Sequence, residues 1–312
     1  MIDRIKFEIK KVDQKYIVRK LKLKRDPYRD RTQPKIYRGK IDTLKVNYYE
    51  HTGSLTIENS LHVFAKGNNY SQFTIEEVRK TLLDLEKKVG IPLERFLVKN
   101  IEFGINMSMP KDPMEYTNLI RGYDNRRFLP MTPYVSTVKG IHCVFDEYHI
   151  KFYDKTYETI KKKRIKVKDR KKIPQNILRF EVKIKKMTYA KSKKFHNMTG
   201  KTLLSGHHYI MFKRLLKEYL NEVHFLELSI DYEKMLPRDI KRYIFVLSDT
   251  YALYLDYLKE HKSEEDFRKE NRSRNRFIKR MKPKLTGELE QELKNKFAET
   301  IISISKKESP VK

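Results

Sequence analysis

A tyrosine flanked by lysines on a strand-like stretch is the strongest chemical feature of the chain. Apolar and polar residues alternate from Glu147 to Tyr153, which predicts a half-buried β-strand. His149, Lys151, Tyr153 and Lys155 fall on its polar face. A tyrosine in that setting can act as a nucleophile in phosphate chemistry. The alternative is an edge strand with a solvated basic face.

Two other stretches alternate in the same way. Asn100–Met107 places Glu102 on a polar face, and Ile177–Lys185 does the same for Arg179 and Glu181. If the three strands pair in one sheet, their ionisable side chains converge on one surface. That set consists of Glu102, His149, Lys151, Tyr153, Arg179 and Glu181.

This set suits the cleavage of a phosphodiester bond. The carboxylates of Glu102 and Glu181, with His149, can hold Mg²⁺ or Mn²⁺, and such a cation stabilises the charge that develops on phosphate. A tyrosine hydroxyl titrates near pH ~10, so it needs a base or nearby positive charge to attack at neutral pH. Lys151 and Lys155 can supply that charge. The alternative is a purely structural pairing of Glu181 with a basic neighbour.

The composition indicates a packed protein that binds a polyanion. Among 312 residues, 39% are apolar and 12% aromatic, and 70 Lys+Arg against 41 Asp+Glu give a formal charge of +29. Nucleic acid is the expected partner, because phosphate contacts release condensed counterions. No basic amphipathic helix suits a membrane surface, so we expect no membrane partner.

Cysteine content and hydropathy indicate the cellular compartment of the protein. A single cysteine, Cys143, excludes an intramolecular disulfide and a Cys-rich zinc site. The first dozen residues lack the apolar run of a signal peptide, and no stretch is long enough to span a bilayer. We therefore expect a cytoplasmic protein.

The densest basic run follows the tyrosine strand. It extends from Lys161 to Lys172 and can reach DNA held at Tyr153. A charge run is often only a solvated loop, but here we expect phosphate contacts. The expected DNA-binding residues are Lys161, Lys162, Lys163, Arg164, Lys166, Lys168, Arg170, Lys171, Lys172 and, on the third strand, Arg179.

Local signals place the other elements of the N-terminal part. Alternation predicts strands at Ile2–Lys10, Tyr16–Lys24 and Gly140–Phe145, and a hairpin of Leu44–Tyr49 with Ser54–Ile57.

Helix signals are also specific. Thr74 and Glu77 form a capping box for a helix that ends before Gly90, and Asp112-Pro113 start a second helix. Later helices are predicted within Leu203–Leu220, Pro237–His261 and Gly287–Ile302. The expected fold is α+β: an antiparallel-sheet, nuclease-like DNA-nicking domain over residues 1–200, then a helical region with a basic tail over residues 201–312.

Four stretches over roughly residues 1–200 resemble the gene II/X family of phage and plasmid rolling-circle replication initiators. Phe152–Glu158 is similar to the family's Tyr-x-Lys-x-x-Glu segment, and Leu178–Lys185 to its Arg-Phe-Glu strand. The start Met1–Asp3 and the stretch Asn100–Phe103 resemble the family's first strand and its acidic strand after a long helix.

The resemblance implies a function. Family members nick one strand of origin DNA, a tyrosine becomes joined to the 5′ phosphate, and the 3′ hydroxyl primes rolling-circle synthesis. The family tyrosine falls on Tyr153, its lysine on Lys155 and its glutamate on Glu158, which thereby joins the candidate metal ligands. Its Arg-Glu pair falls on Arg179 and Glu181.

The chain also departs from the family and from the wider nuclease class. Glu102 stands where an aspartate is common. No His-hydrophobe-His metal motif is present, and the adjacent His207 and His208 do not replace it. Tyr157 is a second candidate nucleophile, because some rolling-circle enzymes use paired tyrosines.

The sequence thus predicts a metal-dependent replication initiator that nicks single- or double-stranded origin DNA through Tyr153, with Lys151 and Lys155 stabilising phosphate charge. Host replication proteins are further expected partners. One alternative is a non-catalytic DNA-binding replication or copy-control protein. The other is a relaxase- or transposase-type tyrosine nuclease.

Overall fold

The chain folds into a mixed structure in which helices concentrate towards the C-terminus. No helix of the described part is long and apolar enough to cross a bilayer. The predicted contacts Lys163 and Arg164 lie outside the described residues. A computed structural model describes residues 1–27, 33–131, 138–162, 166–193, 195, 198–227, 236–281 and 287–305.

A ten-stranded antiparallel sheet forms the centre of the fold, which confirms the predicted α+β class. The strands are β1 (Ile2–Ile9), β2 (Lys24–Arg25), β3 (Ile36–Ile41), β4 (Leu44–Tyr49), β5 (Ser54–Ser60), β6 (Leu97–Ser108), β7 (Ile120–Tyr123), β8 (Arg126–Arg127), β9 (Leu129–Pro130), β10 (Gly140–Val144), β11 (Tyr148–Asp154), β12 (Ile177–Ile184) and β13 (Val223–Phe225). The large sheet has the order β2-β3-β4-β5-β1-β6-β12-β11-β10-β9, and β13-β7-β8 form a second sheet.

The middle strands of the large sheet bury one face. Phe103 on β6, Phe152 on β11 and Phe180 on β12 are fully buried, and the last two stack with ring centroids 4.4 Å apart. Burying each such side chain stabilises the fold by roughly 1.5–3 kcal/mol. Because side chains alternate along a strand, the same strands direct polar residues to the opposite face. The predicted pairing of these three strands in one sheet is confirmed.

Helices cover the apolar face of the large sheet. The predicted capping box of Thr74 and Glu77 starts α3, whose buried apolar side chains, among them Leu82, belong to the core of the sheet. The helices are α1 (Gln14–Lys20), α2 (Leu61–Lys66), α3 (Ile75–Val89), α4 (Pro113–Thr117), α5 (Lys155–Lys162), α6 (Met187–Ser192), α7 (Gly206–Glu222), α8 (Pro237–Val246), α9 (Asp249–His261), α10 (Glu264–Met281) and α11 (Glu288–Ser305).

The C-terminal helices divide between two cores. α7 and α11 add residues such as Phe212 and Leu293 to the core of the large sheet, and Phe212 stacks on Phe103 with centroids 4.4 Å apart. α8, α9 and α10 form a second core around Tyr251 and Phe277. The predicted division at residue 200 stays a prediction.

The predicted strand Tyr16–Lys24 is wrong. Helix α1 occupies most of it, and only Lys24 belongs to a strand there, the two-residue β2. The side chain of Asp13 caps α1 by accepting a hydrogen bond from the Tyr16 amide at 2.6 Å. The alternation of leucines and lysines in this stretch was therefore outweighed by a local cap and by the burial of Ile17.

Candidate active site

Three adjacent strands bring the predicted site residues onto one polar face of the large sheet. Lys151 on β11 lies opposite Glu181 on β12, and Tyr153 lies opposite Arg179 one row further along. Glu102 on β6 lies opposite Lys183 on β12. We call the resulting set the polar cluster: Asp3, Glu102, Asn106, Lys151, Tyr153, Arg179, Glu181 and Lys183.

Glu181 is the centre of the polar cluster. Lys151 Nζ donates to its Oε1 at 2.7 Å, and Arg179 Nε donates to its Oε2 at 2.7 Å. The Tyr153 hydroxyl donates to the same Oε2 at 3.4 Å. Burial by itself raises the pKa of Glu181, but Lys151 and Arg179 outweigh burial and hold that pKa well below its ordinary value. Glu181 is therefore a buried, ionised carboxylate.

Arg179 ties this carboxylate to two other strands. It is 3% exposed. Its Nη1 donates to Asn106 Oδ1 at 2.9 Å, and its Nη2 donates to Asp3 Oδ2 at 3.0 Å. All three of its guanidinium nitrogens thus have protein partners. The predicted contact of Arg179 with DNA stays a prediction, and it would require these bonds to be exchanged for bonds to phosphate.

Asp3 reaches the polar cluster through an irregularity in β1. Strict alternation would place Asp3 on the same face as Ile5, but the pairing of β1 with β6 shifts register between Ile2 and Ile5. The Asp3 carboxylate also accepts hydrogen bonds from the Ser60 hydroxyl and, at 3.3 Å, from Asn69 Nδ2. Asp3 is therefore a fully bonded acidic partner of Arg179.

Two glycines allow the strands to approach closely at the cluster. Gly140 on β10 lies opposite Tyr153, and Gly104 on β6 lies opposite Glu181. A Cβ atom at Gly140 would clash with Tyr153, and one at Gly104 would clash with the Cα of Glu181. A side chain at either position would push the neighbouring strand away from the site.

Tyr153 lies at the edge of the cluster and is 6% exposed. Burial and then the negative charge of Glu181 raise the pKa of Tyr153 well above its ordinary value of 10.0. Lys155 Nζ lies 5.6 Å from the centre of the Tyr153 ring. The hydroxyl is therefore protonated at neutral pH in the protein alone.

Lys155 and Glu158 form a buried ion pair at the start of α5. Burial and then Arg179 lower the pKa of Lys155, while Glu158 opposes that shift. Glu158 Oε1 also accepts a bond from Lys162 Nζ at 3.1 Å. The lysine and glutamate of the Tyr-x-Lys-x-x-Glu segment thus contact each other.

Tyr157 occupies a different element from Tyr153. Strand β11 ends at Asp154, whose side chain accepts a bond from the Tyr157 amide at 2.8 Å within α5. Lys139 and Lys161 lie over the Tyr157 ring, 4.7 Å and 5.6 Å from its centre. Tyr157 is a half-buried tyrosine in a basic setting, so it remains a second candidate nucleophile.

The predicted carboxylate ligands of the metal are paired with basic residues. Glu102 Oε1 lies 2.9 Å from Lys183 Nζ and 3.7 Å from Lys151 Nζ. Among the described residues no group of three or more His, Cys, Asp or Glu side chains is arranged to hold a metal ion. The carboxylates as placed do not fit Mg²⁺ or Mn²⁺, because their oxygens face ammonium and guanidinium groups. The metal requirement stays a prediction.

His149 is the one predicted ligand outside these ion pairs. Its Nε2 atom is buried and has no hydrogen-bond partner among the described residues. Burial and then Lys185 lower the pKa of His149 to about 4. The ring is therefore neutral at physiological pH.

The described part of the predicted DNA-binding run, residues 161–162 and 166–172, lies on the surface, and we call these residues the basic segment. They end α5 and form a 3-10 helix at Val167–Lys172. Lys161, Lys166, Lys168 and Lys171 are exposed. These side chains are accessible to a phosphate backbone, in contrast to Arg179.

The chain matches no known protein-family model, and no curated protein matches it significantly. The resemblance to gene II/X initiators therefore rests on the quoted residues alone.

Three participants of the polar cluster were not predicted from the sequence. Asn106 and Lys183 lie on the predicted polar faces, but no role was assigned to either. Asp3 was missed because its position depends on the register shift in β1. The available signal was a charged residue at the start of an otherwise apolar strand face.

Proposed function

We propose that this chain is a DNA-nicking replication initiator of the gene II/X type, with Tyr153 as its nucleophile. The observation that supports this most directly is the contact of the Tyr153 hydroxyl with Glu181, where Lys151 and Arg179 hold the same carboxylate. Fixed positive groups beside a hydroxyl can stabilise the charge that develops on an attacked phosphate. The formal charge of +29 supports DNA as the substrate.

In the proposed reaction, the Tyr153 oxygen attacks the phosphorus and the bond between phosphorus and the 3′ oxygen breaks. The tyrosine proton passes to solvent, because Lys151 and Arg179 make Glu181 a weak base, and the leaving 3′ oxygen takes a proton from solvent. The products are a 5′-phosphotyrosine ester and a 3′ hydroxyl that can prime synthesis. The ester conserves the free energy of the broken phosphodiester bond, so the reverse reaction rejoins the strand.

The burial of Tyr153 limits its reactivity before DNA binds. Its hydroxyl is protonated and almost inaccessible to solvent. Attack therefore requires side chains around the ring to move when DNA binds. Lys151 and Lys155 would then favour the phenolate, because both lie next to the ring or its carboxylate partner.

The same burial favours a second candidate function, a DNA-binding replication or copy-control protein without catalysis. In that case the hydrogen bond between Tyr153 and Glu181 is only a packing contact. The basic segment would bind DNA in either case.

A nicking assay distinguishes these functions. The substrate is supercoiled DNA that carries the region flanking the gene. Tyr153→Phe should abolish nicking and any adduct that survives denaturation, with unchanged DNA affinity, because only one hydroxyl is lost. Tyr157→Phe is the matched control and should retain both. A nucleotide attached to Tyr157, or nicking by the Tyr153→Phe protein, would exclude Tyr153 as nucleophile; a wild-type protein that binds but never nicks supports the second function.

The same assay tests the metal prediction through arms with Mg²⁺, Mn²⁺ and EDTA. The sequence predicts that EDTA abolishes nicking and leaves DNA binding in place, because binding depends on lysine and arginine. Nicking that persists in EDTA would show that Glu102 and Glu181 are not metal ligands and act only in the ion pairs described above.

A further inference from the structure

A groove of about 570 Å³ lies on the polar face of the large sheet, next to the polar cluster. Lys185 lines it and directly follows β12, two positions after Lys183 of the cluster. Asn100 on β6 also lines it, two positions before Glu102. Since alternate residues of a strand share a face, the groove continues the surface that carries Tyr153.

The groove is basic. Lys6, Lys99 and Lys185 line it, and Glu8 is the acidic side chain in its wall. Lys99 Nζ lies 3.3 Å from Glu8, but the Lys99 side chain is still 50% exposed. Surface ion pairs of this kind contribute only about 0–1 kcal/mol, so a phosphate can displace them.

Aromatic rings stand at the far side of the groove. Tyr49 at the end of β4 and His51 in the following turn both line it. Their ring centroids lie 6.4 Å apart in an edge-to-face arrangement, and His51 is exposed. Lysines along a channel with aromatic rings beside them are the combination that binds single-stranded nucleic acid, because unpaired bases stack on the rings.

We propose that this groove holds a segment of single-stranded DNA continuous with the strand that is cut at Tyr153. The inference rests on the proposed function for the identity of the strand. From Arg179 on β12, opposite Tyr153, to Lys185 the chain advances six residue steps, which span about 20 Å in an extended strand. Bases paired in a duplex cannot stack on Tyr49, so the occupant is a single strand.

Binding of the full chain to a labelled oligothymidylate about 12 nucleotides long tests this proposal. Tyr49→Ala should weaken binding roughly 5- to 150-fold, the range for loss of one base stack, and Tyr49→Phe should retain affinity. Lys99→Ala with Lys185→Ala should reduce the log–log salt slope by about 1.4, at about 0.7 per phosphate contact. The matched controls are Tyr16→Ala on α1 and Lys80→Ala with Lys87→Ala on α3, all exposed and in the helical layer.

The outcomes separate the two proposals. Groove variants that bind the oligothymidylate as the wild type does would overturn the groove assignment, whatever the nicking assay gives. Weaker duplex binding with unchanged single-strand binding would also overturn it, because the occupant would then be duplex DNA. Weaker single-strand binding in a chain whose Tyr153→Phe variant still nicks would support the groove and overturn the role of Tyr153.

Discussion

In the polar cluster, Arg179 contacts Glu181 at 2.7 Å and Asp3 at 3.0 Å and is almost entirely buried. In the basic segment, Lys168 and Lys171 are exposed to solvent, and the ion pair of Lys172 with Asp169 lies at the surface. Both regions consist mainly of charged residues. They differ in solvation: the charges at the centre of the polar cluster are buried, and the lysines of the basic segment are in contact with water.

Because of this difference, the polar cluster is suited to position side chains, and the basic segment is suited to attract phosphate. A buried charge must be compensated by partners at fixed distances, so the cluster holds Tyr153 and Glu181 in one geometry. An exposed lysine retains its hydration and can exchange it for a phosphate, so we expect the basic segment to supply affinity for DNA without specific geometry. Three predictions test this contrast, from the largest expected effect to the smallest.

Disruption of the polar cluster should give the largest loss of stability. Arg179→Met removes the partner of two buried carboxylates, Asp3 and Glu181. We expect the free energy of unfolding, measured with urea, to fall by about 3–5 kcal/mol. Lys168→Met in the basic segment removes the same charge from an exposed site and should change the free energy of unfolding by less than about 0.5 kcal/mol. Equal effects of the two substitutions would contradict the contrast.

The pH dependence of stability should come from the cluster. The folded pKa of Glu181 lies below its unfolded value of about 4.3, so its contribution is complete above that pH and is lost as the pH falls further. The loss amounts to about 1.4 kcal/mol for each unit of difference between the two pKa values. Glu181→Gln should be less stable at pH 7 and lose less stability in acid.

The control for the acid experiment is Asp169→Asn in the basic segment. This carboxylate pairs with Lys172 at the surface, where an ion pair contributes about 0–1 kcal/mol. Unfolding curves of Asp169→Asn between pH ~6 and ~3 should follow those of the wild type. If Glu181→Gln loses as much stability in acid as the wild type does, other carboxylates are responsible for the pH dependence.

The smallest effect on stability should come from the basic segment. Replacing Lys166, Lys168 and Lys171 by Ala should leave unfolding unchanged within about 0.5 kcal/mol. The slope of duplex affinity against salt should decrease by about 2.7, at about 0.9 per phosphate contact. Ala at Lys15, Lys80 and Lys87, exposed on α1 and α3, is the charge-matched control and should keep the wild-type slope. A slope that is unchanged in the first variant would remove the segment from the DNA interface.

Elements whose structure depends on one local signal were predicted correctly from the sequence. The capping box of Thr74 and Glu77, the hairpin after Leu44 and the alternating strand that carries Tyr153 all formed as predicted. The prediction was wrong at Tyr16–Lys24, where alternation and a helix cap conflicted over a few residues. Short segments of this kind are decided by the cap and by which residue the core buries.

The sequence by itself determined which faces of β6, β11 and β12 are polar, because the side-chain period of a strand is two residues. It also determined the strong positive charge and the dense run of basic residues after the Tyr153 strand. Only the tertiary structure decided that Asp3 and Asn106 complete the bonds of Arg179, since strand order and the register shift in β1 depend on contacts far apart in the chain. The burial of Tyr153 and its raised pKa likewise arise from neighbours on other strands, which no local pattern encodes.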